Sequence, residues 1–143
     1  MIPRANLLRA LDANINRARE GLRVCEDLVR FCMGLRSHVQ RLRALRQAFD
    51  RQVRRLPLKP ADVVRFRNSL HDPGRRFVAS RAASVEHLLL MNLQRTKEAL
   101  RVLEEGCRVV APRYTGGFQR LRFRTYDVER HLLLKLAALR HHR

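Results

Sequence analysis

Hydrophobic residues follow the period of an α-helix in two long segments of the chain. In each segment apolar side chains recur at steps of three and four residues, which places them on one face of a helix. The first stripe comprises Leu11, Ile15, Ala18, Leu22, Cys25, Val29 and Cys32. The second comprises Leu89, Leu93, Thr96, Leu100, Leu103, Cys107 and Val110. The pattern predicts two long amphipathic helices.

Each long segment is followed by a further amphipathic segment. After Gly34 the pattern predicts a helix that ends before Pro57, and after Gly116 and Gly117 it predicts a last helix. Two antiparallel hairpins with apolar stripes can bury those stripes against each other. The sequence therefore predicts an all-α fold, a four-helix bundle made of two helical hairpins in a single domain. Its parts are repeat one at about residues 4–56, a connector at 57–80 and repeat two at about 81–141.

The two long helices are copies of one another. Asn14–Phe31 returns 78 residues later as Asn92–Val109, with eight identical positions of eighteen. The identical pairs are Asn14 and Asn92, Arg17 and Arg95, Glu20 and Glu98, Leu22 and Leu100, Arg23 and Arg101, Val24 and Val102, Glu26 and Glu104, and Arg30 and Arg108. Packing alone would require only apolar residues at these positions. The return of polar residues indicates that both copies serve one site.

A helical projection sorts the repeated polar residues by direction. At about 100° per residue, Asn14 and Arg17 fall inside the apolar arc, Glu20 falls on its edge, and Arg23 and Glu26 point toward solvent. Burying an Arg or Asn without a partner costs several kcal/mol, so such groups need a carboxylate, a carbonyl or a ligand.

Two kinds of partner are open for the repeated arginines. One is a network within the protein, in which Arg17 pairs with Glu98 and Arg95 pairs with Glu20. The other is an anion bound from outside. The connector favours the anion, because a symmetric network would not need its polar segment Arg67–Gly74. Connectors of this length are more often functional than idle.

Composition and charge narrow the class of protein. The chain has 143 residues, of which 45% are hydrophobic and 31% charged, as in a folded domain. The net charge of +18 comes almost entirely from Arg, whose planar fork binds phosphates at two points, although most of these arginines fit a solvated surface. No apolar run is long enough to span a membrane and no signal peptide is recognisable, so we expect a cytoplasmic protein. Cys25, Cys32 and Cys107 fall at core positions and are expected to be inert packing residues.

The repeated motifs and the connector resemble a known family. The segments DANINRAREGLRVCEDLVRF, NLQRTKEALRVLEE and RNSLHDPG are similar to a small helical family found alone or fused to thiamine-phosphate synthase. That family is described as a hydroxymethylpyrimidine-phosphate kinase of thiamine biosynthesis. The resemblance implies a phosphotransferase that uses ATP and Mg²⁺ on a phosphorylated pyrimidine. The connector departs from the family pattern at Asn68 and Pro73.

Phosphoryl transfer needs cations for the phosphates and carboxylates for Mg²⁺, and this chemistry predicts roles for the repeated residues. The predicted catalytic residues are Arg17, Arg95 and Asp72. The predicted substrate and nucleotide ligands are Asn14, Asn92, Arg67, Arg23 and Arg101. The predicted magnesium ligands are Asp72 with Glu20 or Glu98.

Two alternative functions belong to other classes of protein. The first is a non-catalytic helical module that partners thiamine-phosphate synthase, in agreement with the fusions seen in the resembling family. The second is a basic nucleic-acid-binding protein, which the spread of arginines along the whole chain disfavours. A homo-oligomer is the ordinary expectation for a small protein of this kind.

Overall fold

The computed structural model describes residues 1–143 and contains helices and no strands, so the predicted all-α class is confirmed. The helices are α1 (Arg4–Asp27), α2 (Arg36–Arg55), α3 (Pro60–Val64), α4 (Val85–Val110) and α5 (Thr115–His141). The sequence predicted four helices, and the fifth is the short α3 inside the connector. No helix is both long and apolar enough to cross a membrane.

The four long helices surround one core. Helix α1 packs against α4 and α2, and α5 packs against the same two helices from the other side. The two predicted stripes supply much of the core, and the large side chains Phe49 and Phe118 meet edge to face within it, with ring centroids 6.4 Å apart. The hydrophobic periodicity therefore located the buried faces of α1 and α4 correctly.

The stripe of α1 ends earlier than the sequence predicts. After Asp27 the helix continues as a π-helical turn over Leu28–Met33 and stops at Gly34, whose φ of 65° lies in the left-handed region. A π-turn holds more residues than an α-turn and rotates the side chains that follow it. Cys32 is consequently exposed, so its predicted core position is wrong, whereas Cys25 and Cys107 are buried.

Helices α1 and α4 cross at short range because small residues lie between them. A methyl group added at Gly21 would meet the side-chain oxygen of Thr96 and would lie 3.3 Å from the backbone oxygen of Asn92. Gly106 faces the side chain of Leu11 in the same way. The close crossing brings the repeated motifs of the two helices together.

The connector packs against the core through α3 and is joined to α1 by an ion pair. Helix α3 buries Val63 against the core, and the chain then continues through a 3₁₀ turn at Ser69–His71 to the start of α4. The guanidinium of Arg67 donates two hydrogen bonds to the carboxylate of Asp12, at 2.7 Å and 2.5 Å. Asp12 is buried, so this ion pair fixes the connector above α1.

Candidate functional site

Two mirrored ion pairs account for part of the duplication. Glu26 on α1 accepts hydrogen bonds from Arg46 on α2 at 2.7 Å and 3.4 Å, and Glu104 on α4 accepts them from Arg122 on α5 at 2.8 Å and 3.4 Å. Glu26 is only 4% exposed and Glu104 only 6% exposed. The prediction that Glu26 points toward solvent is wrong. The projection used α1 alone and could not show that Arg46 covers this side of it.

In both pairs the carboxylate stabilises the charged form of the arginine. The hydrogen bond that Arg46 donates to Glu26 raises the pKa of Arg46 above its ordinary value, and the bond that Arg122 donates to Glu104 does the same for the pKa of Arg122. A signal in the sequence could have revealed them, because Arg46 and Arg122 recur at the offset of 76 that relates Leu42–Gln47 to Phe118–Phe123.

The outer arginines Arg23 and Arg101 belong to the same clusters. Arg23 approaches Asp27 at 3.7 Å and Glu26 at 4.0 Å, while Arg101 approaches Glu105 at 3.3 Å and Glu104 at 3.9 Å. Both arginine side chains are 55% exposed. Their acids neutralise them at the surface, and their predicted contact with a nucleotide stays a prediction.

Arg17 and Arg95 lie where α1 crosses α4, and their surroundings differ from those of the outer arginines. Both are exposed, so the prediction that they are trapped inside the apolar arc is wrong. Their long side chains extend from the crossing into solvent, as aliphatic stems with charged ends commonly do. Neither forms a salt bridge with any carboxylate of the chain, and the internal network of Arg17 with Glu98 and Arg95 with Glu20 is absent.

The two repeated asparagines make equivalent contacts beside these arginines. The amide of Asn14 donates to the carbonyl of Ala10 at 2.8 Å, and the amide of Asn92 donates to the carbonyl of Leu88 at 2.9 Å. In addition, the side-chain oxygen of Asn14 accepts a hydrogen bond of 3.5 Å from Arg17. Asn14 is buried, as predicted, and these bonds fix its orientation.

A cavity of about 490 Å³, here called the central cleft, lies between the repeated motifs. Its lining includes Asn14, Arg17, Asp72, Phe77, Arg95 and Glu98. Five of these six were predicted as site residues, and the cleft brings them together from α1, α4 and the connector. Phe77 was not predicted, because nothing in the local sequence distinguishes an aromatic residue over a cleft from one on an open surface.

Two further cavities flank the central cleft. The first side hollow, of about 550 Å³, is lined by Glu20, Arg67 and Asn68 and also by Asn14, Arg17 and Asp72. The second side hollow, of about 810 Å³, is lined by Asn92 and also by Arg95 and Glu98. All the predicted site residues except the outer pair Arg23 and Arg101 therefore line one of three adjoining cavities.

Arg67 was predicted to hold a phosphate, and its charge is already neutralised by Asp12. The hydrogen bonds that Arg67 donates to Asp12 raise the pKa of Arg67 above its ordinary value. Asp12 was not among the predicted site residues, and its equivalent in the second repeat is Leu90. Because the duplication highlights only residues that recur, it could not reveal an ion pair formed by one repeat alone.

The carboxylates of the site are divided between cavities. Asp72 lines the central cleft with Glu98 and the first side hollow with Glu20, and its side-chain oxygen accepts a hydrogen bond of 2.8 Å from the amide of Gly74. The structure contains no group of three or more His, Cys, Asp or Glu side chains that could hold a metal ion. In each of these two cavities the predicted ligands thus offer two carboxylates, Asp72 and one glutamate, and Mg²⁺ stays a prediction.

Comparison with known proteins places these motifs in a family context. The family model described as the ThiD2 family matches residues 9–131. The chain is 38% identical over 130 residues to a thiamine-phosphate synthase of Synechocystis sp., an alignment covering 89% of this chain and 36% of the relative. It is 35% identical over 127 residues to a thiamine-phosphate synthase of Gloeobacter violaceus, covering 86% of this chain and 35% of the relative. No solved structure gives a significant match.

These comparisons correct the predicted function. The similar proteins are named thiamine-phosphate synthase, and a synthase of this kind is a different transferase from an ATP-dependent kinase. The prediction of a hydroxymethylpyrimidine-phosphate kinase is therefore wrong, and the first alternative, a helical module associated with thiamine-phosphate synthase, agrees better with the relatives. The chain spans about a third of the length of the relatives it matches.

Proposed function

The chain belongs to the ThiD2 family, and from this premise we propose that it is a helical module that works with thiamine-phosphate synthase in thiamine biosynthesis. In this proposal the module binds a phosphorylated small molecule in the central cleft. The synthase forms thiamine phosphate, and the module supplies the phosphorylated molecule to it. The matched segment, residues 9–131, includes both repeated motifs.

The observation that supports this proposal most directly is the state of Arg17 and Arg95. Both side chains line one cavity, and neither forms a salt bridge with a carboxylate of the chain. The equally duplicated Arg23 and Arg101 do form salt bridges, whereas Arg17 and Arg95 share the cleft with Asp72 and Glu98 without forming one. Two unpaired guanidinium groups facing one cavity are suited to the oxygens of a phosphate.

The remaining residues of the cleft have roles consistent with a phosphorylated ligand. The side-chain oxygen of Asn14 positions Arg17 through their hydrogen bond, and Asn92 is held in the equivalent place on α4. Phe77, in the connector, provides an apolar surface over the cleft for the organic part of a ligand. The positive net charge of +18 attracts anions toward the protein at low ionic strength.

The proposal also depends on how the two halves are related. We take the four long helices as two duplicated hairpins that form a four-helix bundle with pseudo-twofold symmetry. In such a bundle the symmetry axis passes near the crossing of α1 and α4, and residues near the axis from both copies face the same space. Arg17 and Arg95 are such residues, because they occupy the same position in their repeats.

The test has two parts, an assay and a binding measurement. The rate of thiamine phosphate formation by a thiamine-phosphate synthase catalytic domain is measured with and without the purified chain at limiting substrate. We expect the chain to raise this rate and the double variant Arg17→Gln, Arg95→Gln to lose the effect. Binding of the chain to the synthase is measured in parallel by analytical ultracentrifugation.

The matched control is the double variant Arg23→Gln, Arg101→Gln, which removes the same charge from repeated positions outside the three cavities. It is expected to raise the rate as the unmodified chain does. If the unmodified chain neither binds the synthase nor changes the rate, the proposal is rejected. If both double variants lose the effect equally, net charge rather than the cleft is responsible, and the role of Arg17 and Arg95 is rejected.

A further inference from the structure

A fourth cavity, here called the connector pocket, lies between α1, the end of α2 and α3 and has a volume of about 430 Å³. It shares Asp12, Asn16 and Arg67 with the first side hollow, but it shares no residue with the central cleft. The ion pair of Arg67 with Asp12 forms a wall common to the connector pocket and the first side hollow. The connector pocket is thus distinct from the cleft in which the proposed function places its ligand.

The connector pocket exists because the second helices of the two repeats end differently. Helix α2 ends at Arg55, and Pro57 cannot continue it because proline has no backbone N–H to donate. The chain then folds back over α1 and buries Val63 of α3. At the offset of 76 the residue equivalent to Pro57 is Leu133, and α5 continues past it to His141. Only repeat one therefore has a short helix that closes a cavity in this way.

The interior of the connector pocket is apolar. Three of its residues, Ile15, Leu56 and Val63, belong to the buried core, so the pocket extends down to the core between α1 and α3. An apolar cavity of this size with a few polar groups at its edge is typical of sites for small molecules. The hydrophobic residues that line it are Ile15, Val53, Leu56, Leu58, Val63 and Val64.

The charged residues of the connector pocket leave one positive charge without an acid. Arg67 is bonded to Asp12, and Arg19 is bonded to Asp50 at 3.0 Å. Arg54, at the end of α2, is exposed and forms no salt bridge. An anionic group at this edge would meet a guanidinium for which no carboxylate of the chain competes.

We propose that the connector pocket is a second binding site, which takes an amphiphilic carboxylate. The apolar chain of the ligand lies between α1 and α3, and its carboxylate contacts Arg54. Burial of the chain supplies most of the affinity, and the charge of Arg54 selects an anion over a neutral or cationic head group. This inference does not depend on the proposed function, because the pocket and the central cleft have no residue in common.

The first experiment varies the head group and the chain length of the probe. Binding of hexanoate, hexan-1-ol, hexylammonium and octanoate to the ¹⁵N-labelled chain is measured by NMR titration at low salt. Hexanoate is expected to bind about fivefold more tightly than hexan-1-ol, and hexylammonium more weakly than both. Octanoate is expected to bind about tenfold more tightly than hexanoate, because two further methylene groups leave water.

The second experiment tests the head-group contact with two adjacent arginines of α2. Arg54 lines the connector pocket, whereas Arg55 is also exposed but does not line it. Arg54→Gln is expected to weaken octanoate about fivefold and to leave hexan-1-ol unchanged, because only the anion loses a contact. Arg54→Lys is expected to retain most of the affinity for octanoate, and Arg55→Gln is expected to change neither probe.

The third experiment tests the apolar wall with two valines of α2. Val53 lines the connector pocket, whereas Val39 is also partly buried against the core but does not line it. Val53→Thr keeps the shape of the side chain and replaces a methyl group with a hydroxyl, so it is expected to weaken octanoate and hexan-1-ol alike, about threefold. Val39→Thr is expected to leave both affinities unchanged.

Four results would overturn the inference. If hexanoate and hexylammonium bind equally, the site does not select an anion. If hexanoate and octanoate bind equally, or if Val53→Thr and Val39→Thr have the same effect, the chain is not buried in this pocket. If Arg54→Gln has no more effect on octanoate than Arg55→Gln, the carboxylate does not contact Arg54.

The fourth result concerns the central cleft. The double variant Arg17→Gln, Arg95→Gln is expected to bind octanoate as the unmodified chain does. If it loses octanoate while Arg54→Gln retains it, the carboxylate binds in the central cleft, which rejects the connector pocket as a site and leaves the proposed function in place.

Discussion

Two sets of duplicated charges in this molecule have opposite fates. Between α1 and α2, and again between α4 and α5, the repeated Glu26 and Glu104 are buried and paired with arginines of the neighbouring helix. At the crossing of α1 and α4, the repeated Arg17 and Arg95 are exposed, line a cavity and form no salt bridge. One set is satisfied within the chain and the other is not.

This difference separates two reasons for which a polar residue recurs in a duplicated helix. A residue that pairs with a partner inside its own repeat is needed twice, because each repeat uses the same ion pair to join its two helices. A residue at the crossing of α1 and α4 is needed twice because both copies line the same cavity. Identity between repeats cannot distinguish these reasons, whereas the contacts in the structure can.

The largest expected effect comes from breaking one of the buried pairs. Glu104→Ala leaves Arg122 unpaired with its side chain only 11% exposed, and should lower the free energy of unfolding by about 3 kcal/mol. Glu26→Ala should cost less, because Arg46 is 20% exposed and can reach water more easily. Urea denaturation followed by circular dichroism measures both. If each variant lowered the free energy of unfolding by less than about 0.5 kcal/mol, the two pairs would contribute no more to stability than exposed surface pairs do.

An intermediate effect is expected where the repeats meet. Gly21→Ala places a methyl group against Thr96 and the backbone of Asn92 and should cost about 1 to 3 kcal/mol of unfolding free energy. The equivalent residue, Ala99, already carries a buried methyl group, so Ala99→Gly serves as the comparison and should cost about 2 kcal/mol, from helix propensity and from the loss of that methyl group. Thermal and urea unfolding measure both. Stabilisation by Gly21→Ala would contradict the close crossing.

A small effect on stability is expected at Arg17 and Arg95. Arg17→Gln and Arg95→Gln remove exposed charges without a salt bridge and should each change the free energy of unfolding by less than about 0.5 kcal/mol. The same variants should each weaken the binding of inorganic diphosphate about tenfold, because each loses one charge-assisted contact with it. Calorimetric titration and urea unfolding on the same samples give both values. A stability loss as large as that of Glu104→Ala would place these arginines with the buried pairs.

The smallest expected effect is the reactivity of the three cysteine thiols, which is measured on the unmodified chain. Burial raises the pKa of Cys25 to about 12 and that of Cys107 to about 11, so both stay protonated and covered at neutral pH. Cys32 is exposed beyond the π-turn. One thiol per folded chain should react with Ellman's reagent at pH 7.5, and all three should react in urea. Two or three rapid equivalents in the folded state would show that the core is open near the ends of α1 and α4.

The sequence predicted the helical class and the buried faces well, because the stripe from Leu11 to Val29 is set by helical period alone. It was less successful wherever a neighbouring element decides the outcome. Glu26 was predicted to face solvent because its own helix does not show that Arg46 covers it. Cys32 was predicted to be buried because the hydrophobic periodicity does not indicate the π-turn. The pair of Arg67 and Asp12 joins residues 55 positions apart, which local patterns do not connect.

The difference between the two side hollows is possible because both repeats lie in one chain. If two identical hairpins associated as separate chains, every substitution would appear in both of them, and the two hollows would remain alike. With both repeats in one chain, Asp12 can form the ion pair that holds the connector, while Leu90 occupies the equivalent position of the other repeat. A single covalent chain thus allows equivalent positions to carry different residues and to serve different purposes.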